Sequence, residues 1–199
     1  DAVDDTTDDA TEDMLAEVVS AIWYGFDSPG HVDALIAEGA ARGDPFDMDK
    51  VKQTAAKEFT KKRVAEAGWP ATTDCDRLDR AFARLHELGI CALHCAGNTQ
   101  QDGLVSVSRV LNDEDNSEID YHGYCFYYSQ DIDQSLGGEE LLLAHGHVDR
   151  SEAPAQEHIA VAQTICDALR HAGLEVDWSG STKHRIGLPR LRWQRRSPV

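Results

Sequence analysis

The chain has 199 residues, 41% of them hydrophobic and 28% charged, enough for one core of ordinary size, and no apolar run in it reaches membrane-spanning length. The lack of such a run argues against a membrane partner, and the net charge of −17, which sets the surface field against a phosphate backbone, argues against nucleic acid. The five cysteines (75, 91, 95, 125 and 166) lack the regular spacing of a disulfide framework, so reduced thiols and a cytoplasmic location are expected.

Charge is unevenly spread along the chain. The first thirteen residues carry seven acids and no base. Nothing after Asp177 is acidic, and the tail holds Lys183, Arg185, Arg190, Arg192, Arg195 and Arg196. Residues 1 to 10 show no apolar periodicity and read as a disordered acidic lead-in. From Thr11, the apolar residues Met14, Leu15, Val18, Val19, Ile22, Trp23 and Phe26 recur at helical spacing. Ser28 before Pro29 reads as an N-cap with proline at the first helical position, and Val32, Leu35 and Ile36 supply the inner face. Asp47 caps a long third helix with Met48, Val51, Ala55, Phe59 and Val64 on its apolar side, closed by Gly68. Thr73 or Asp74 starts a fourth, lined by Leu78, Ala81, Phe82, Leu85 and Leu88 and stopped at Gly89. Residues 11–68 thus form a helical N-terminal region packed on a main domain at 69–199.

After Gly89 the hydrophobic period changes from 3.6 to 2. Strands are expected at 90–96, 122–128, 141–145, 174–178 and 185–193, with helices at 102–111 and 159–169. Strand, helix, strand, strand, helix, strand is the split βαβ order. The expected fold class is therefore α+β: N-terminal helices followed by a ferredoxin-like antiparallel sheet with an extra edge strand, its helices on one face.

The stretches "TDCDRLDRAFARLHELGI", "AGNTQQDG", "GYCFYYSQD" and "LRWQRR" resemble an uncharacterised bacterial family, a domain of unknown function, over residues 69–196. The resemblance implies one folded unit and carries no known activity, cofactor or partner.

Two sets of residues stand out for chemistry. Cys91 and Cys95 lie on one strand face about 13 Å apart at the ordinary strand rise, too far to share a zinc ion, and read as buried structural thiols. His94, on the opposite face, leads into a polar loop. Together with Asn98, Gln101 and Asp102 at one strand end and Gln130 and Asp131 at another, it forms a candidate ligand-binding set, since helix amides and side-chain amides converge there. The plainer reading makes Asn98 a turn residue and Asp102 a cap.

His145 and His147 leave a strand on the same side, the one spacing suited to a divalent metal, with His122, His94 or Asp131 as third-ligand candidates. The cluster around Tyr124 and Tyr127 lacks interleaved bases and reads as a half-buried sheet face. No nucleophile motif is present: Cys75 has acidic neighbours, and Ser181 lacks the G-x-S-x-G elbow. The leading expectation is a non-catalytic module of immunity or inhibitor type, whose acidic surface recognises a protein partner of basic character. The alternatives are a metal-assisted hydrolase or transferase using His145 and His147, and a small-ligand sensor using the sheet-end pocket.

Overall fold

The computed structural model describes residues 2–199, with side chains from Thr7 onward. The described residues form seven α-helices and a four-stranded mixed sheet, an α+β architecture. The chain divides into two compact units, Asp1–Ala71 with Gln194–Val199, and Thr72–Trp193. No helix among the described residues is long and apolar enough to cross a membrane.

The first unit is built on α1 (Ala2–Tyr24), α2 (Pro29–Arg42) and α3 (Met48–Ala67). The lead-in expected at residues 1–10 falls in part on residues 1–6, whose side chains lie outside the described residues. Over residues 7–10 the backbone is already helical, and the Thr11 hydroxyl donates to the Thr7 carbonyl at 2.7 Å. The sequence-read caps are present: Ser28 accepts from the His31 amide and Asp47 from the Lys50 amide. Met14, Val18 and Ile22 of α1, Val32 and Ile36 of α2, and Val51, Ala55 and Phe59 of α3 form one core.

One inner position departs from the sequence reading. Val64 is 73% exposed, whereas Lys62 is 1% exposed. The progression 51, 55, 59 advances by a helical turn onto 62, so lysine takes the inward site. Its ammonium donates to the Ile22 carbonyl and to Ser197 Oγ, each at 2.7 Å, which satisfies two of its three protons. The basic tail is held within this unit too. The Arg195 guanidinium lies over the Phe26 ring, and Arg196 donates to the Pro70 carbonyl.

The second unit holds α4 (Asp74–Glu87), β1 (Ile90–Leu93), α5 (Gln100–Leu111), β2 (Gly123–Phe126), α6 (Ser129–Leu136), β3 (Leu141–His147), α7 (Ala155–His171) and β4 (Ile186–Leu188). The sheet order is β1-β2-β3-β4, with β1 and β2 parallel and the other neighbours antiparallel. The expected ferredoxin-like antiparallel sheet is corrected on two counts. First, β1 and β2 are direct neighbours, so the βαβ unit is not split. Second, residues 174–178 contribute only one bridge, between Asp177 and Gly187, rather than a strand. The last strand is likewise short, ending at Leu188 before Pro189, which has no amide proton to continue a ladder.

Helices cover both faces of this sheet, where the sequence suggested one. Cys91, Tyr124, Phe126 and Ala144 share a face and pack on Val107 of α5. Gly123, on the opposite alternation, faces Val161 of α7, and α7 in turn packs on α4. β2 is thus buried on both sides, which accounts for its near-continuous apolar run.

Candidate functional site

The parallel pair β1 and β2 ends at the same edge, and α5 and α6 both begin there. Beyond the strands the two chains stay zipped: Ala96 N–H donates to the Tyr127 carbonyl at 2.8 Å, Ser129 N–H to the Gly97 carbonyl at 3.0 Å, and Ser129 Oγ to Asn98 Oδ1 at 2.9 Å. Gly97 sits at φ +76°, and a Cβ there would lie 2.2 Å from Asp102 Cβ, so only glycine fits. Asp102 Oδ2 accepts from the amides of Asn98 and Thr99, and the Asp102 amide donates to Thr99 Oγ1. The Asn98 amide, foremost among these bonds, holds the Asp102 carboxyl below its usual range. Thr99 is therefore the N-cap, and Asp102 is its partner three residues on. Of the residues picked out for ligand binding here, Asn98 and Asp102 shape the loop, while Gln101 and Gln130 are exposed on the surface.

His94 faces inward from this loop. Its Nδ1 lies 2.7 Å from the Tyr127 hydroxyl, its Nε2 lies 3.3 Å from Asp79 Oδ1, and its ring stacks on Phe82 at 4.4 Å. The Asp79–His94–Tyr127 chain runs inward to Tyr127, which is fully buried. Its effect is to pin the loop to α4 and β2.

β1 ends at Leu93, three residues before the expected end of the strand, and two residues further on Cys95 has φ +46°, in the left-handed region. The reading of both cysteines as buried is corrected accordingly: Cys91 is fully buried, and burial pushes its thiol up to about 11, whereas Cys95 is partly exposed. Cys95 borders an open cleft of about 500 Å³ that also meets Arg109 and Ser106.

A second recess lies where α5, β3 and the segment before β4 approach one another. Arg185, one of its liners, donates through Nη2 at 2.6 Å to Asp131, which is 2% exposed and also accepts from the Tyr128 amide at 3.0 Å. Arg185 also donates to the Leu142 carbonyl and to the Tyr128 hydroxyl, and its guanidinium lies 4.9 Å from the Tyr128 ring centroid. Its Nε is buried with no hydrogen-bond partner. Gln100, Tyr124, Thr182 and Lys183 join Arg185 in lining this cavity of about 200 Å³, and no acidic residue lines it. Sequence reasoning found Asp131 but missed Arg185, which lies 54 residues away.

The two strand histidines share a sheet face, as their spacing requires, but they serve different neighbours. His145 Nε2 donates to the His184 carbonyl at 2.9 Å. His147 Nδ1 accepts from the Asp149 amide at 3.1 Å, and its Nε2 lies 3.5 Å from Glu157 Oε2. Of the three candidates for a third ligand, His94 is engaged with Tyr127, Asp131 with Arg185, and His122 is exposed on the surface. Among the described residues no group of three or more His, Cys, Asp or Glu could hold a metal ion.

Burial lowers the His145 pKa from its ordinary 6.5. As pH falls below about 6.5, the unfolded chain takes up a proton that the folded ring resists, so the stability this site contributes at neutral pH is lost on acidification. Thermal melts between pH 7.5 and about 5.5 should show a smaller acid-side fall for His145→Gln than for the parent; equal falls would contradict this reading.

No curated protein and no solved structure matches the chain. The model of one family does match, the domain of unknown function DUF6891, over residues 7–197, a longer reach than the 69–196 suggested by the short motifs. The match takes in nearly all of both units, and the chain belongs to the DUF6891 family.

Proposed function

We propose that the protein is a non-catalytic binding module that recognises a basic protein partner through its acidic surface, in the manner of an immunity or inhibitor protein. The observation that carries this reading is the charge and where it sits. The chain carries −17, and Asp131 is the one fully buried acid among the described residues, so nearly the whole acidic load faces solvent. Such a field speeds the encounter with a cationic partner and repels anionic competitors. In support, the polar groups that suggested chemistry are engaged in holding loops: His94, Asp102 and Asp131 each bind backbone or core partners. The metal-assisted alternative is not favoured by a geometry in which both His147 nitrogens already have partners.

The test is capture by the full chain from a lysate of its own host at 50 mM and 500 mM salt. A basic protein retained at the lower salt and released at the higher supports the reading, because surface attraction is screened over roughly 10 Å at 0.1 M salt. Recovery of no basic protein above background at either salt would overturn it.

A second reading, small-ligand binding, is favoured by one specific observation. The recess beside β3 keeps a buried donor, Arg185 Nε, without a partner, and buried donors are ordinarily satisfied.

A further inference from the structure

We propose that the recess between the start of α5, β3 and the segment before β4 binds a small oxyanion of the phosphate or carboxylate class. The inference rests on the small-ligand reading of this recess and is independent of the acidic-surface reading.

The site runs against the character of the molecule. In a chain of net charge −17, its lining includes Lys183 and Arg185 and no carboxylate. The Asp131 carboxylate, outside that lining, is taken up by Arg185 Nη2 and the Tyr128 amide, while Arg185 Nε is buried without a hydrogen-bond partner. Two further anchors on the guanidinium, the Leu142 carbonyl and the Tyr128 hydroxyl, fix it before any ligand arrives. A donor held in this way loses little freedom on binding.

The other liners complement that donor. Lys183 carries a mobile cation on an exposed segment, and Gln100 is the first residue of α5, where the helix presents its positive end. Tyr124 brings a hydroxyl that lies over Gly146, since a Cβ at that glycine would be 2.6 Å from the Tyr124 oxygen. Cation, fixed guanidinium N–H, amide and hydroxyl together form the donor set that recognises an oxyanion. The size fits as well. About 200 Å³ falls below the roughly 300–1,000 Å³ of pockets for drug-sized ligands, so the space suits an anion of a few heavy atoms better than a nucleotide.

Isothermal titration of the full chain at low ionic strength, with inorganic phosphate, malonate and the neutral polyol glycerol in separate runs, tests the proposal. Lys183 and Gln100 are exposed, so Lys183→Glu and Gln100→Glu put a carboxylate at the recess without touching the core. The expected result is saturable binding of phosphate or malonate at one per chain, weakened about tenfold or more by Lys183→Glu and to a lesser degree by Gln100→Glu. Phosphate preferred over malonate identifies the phosphoryl class; the reverse identifies the carboxylate class. The proposal is overturned if neither anion saturates, or if both variants bind as the parent does, which would mark surface association elsewhere. Saturable glycerol binding that both variants leave intact would overturn the anionic class while the small-ligand reading stands.

Discussion

Replacing Asp131 by alanine should destabilise the sheet-bearing unit by about 3 kcal/mol or more, the scale for breaking a buried ion pair from one side. The carboxylate is 2% exposed and serves two structures at once, accepting from the Tyr128 amide at the start of α6 and from Arg185 Nη2. Its loss leaves the guanidinium with the Leu142 carbonyl and the Tyr128 hydroxyl as anchors, and most of its charge uncompensated. Arg185→Met alone should also be costly, since Asp131 would then be the uncompensated charge. Combining Asp131→Ala with Arg185→Met should cost clearly less than the two single changes added together. Urea unfolding of the four proteins gives the coupling energy, and additive losses would show that the pair does not act as a unit.

Gly103→Ala should destabilise the same unit by about 2 kcal/mol, although alanine is the better helix former by about 1 kcal/mol. The added Cβ would stand 2.1 Å from Phe126 Cε2, and Phe126 is fully buried on the sheet face beneath α5. An aromatic ring packed among Cys91, Val107 and Ala144 cannot withdraw the needed ångström, so the helix must lift. Phe126→Leu should recover part of the loss in the double variant. A neutral or stabilising Gly103→Ala would mean that α5 does not lie on the sheet as described.

These two sites also show which parts of the fold can be read from sequence. Signals that act within one helical turn were legible. Ser28 with Pro29, Asp47 and Thr73 each mark a helix start, because the cap bonds an amide three residues away. Apolar spacing located the cores of α1, α2 and α4 for the same local reason.

Features set by distant partners were not legible. Lys62 reads as a surface residue until the Ile22 carbonyl and Ser197 are brought to it, 40 and 135 residues away. The strand order depends on whether residues 174–178 find a full ladder, and period-2 patterning does not reveal that they make a single bridge. Cys95 looked like one more alternating strand residue, and only the turn into α5 gives it a positive φ. At the candidate sites the sequence supplied the carboxylates and histidines but not their obligations. Asp131 was visible as a polar residue at a strand end, yet the Arg185 that defines its environment comes from the far edge of the sheet.

Whether the strand-end histidines and carboxylates serve architecture and binding, or metal chemistry, is decided most directly by counting metal per chain in tag-free protein purified without nickel or chelator. The account predicts no stoichiometric metal, because His145 Nε2 and both His147 nitrogens serve separate neighbours and, among the described residues, no group of three ligands could hold an ion. One equivalent of zinc, manganese or iron, lost in both His145→Ala and His147→Ala with little change in stability, would contradict it and restore a metal-assisted reaction as the function.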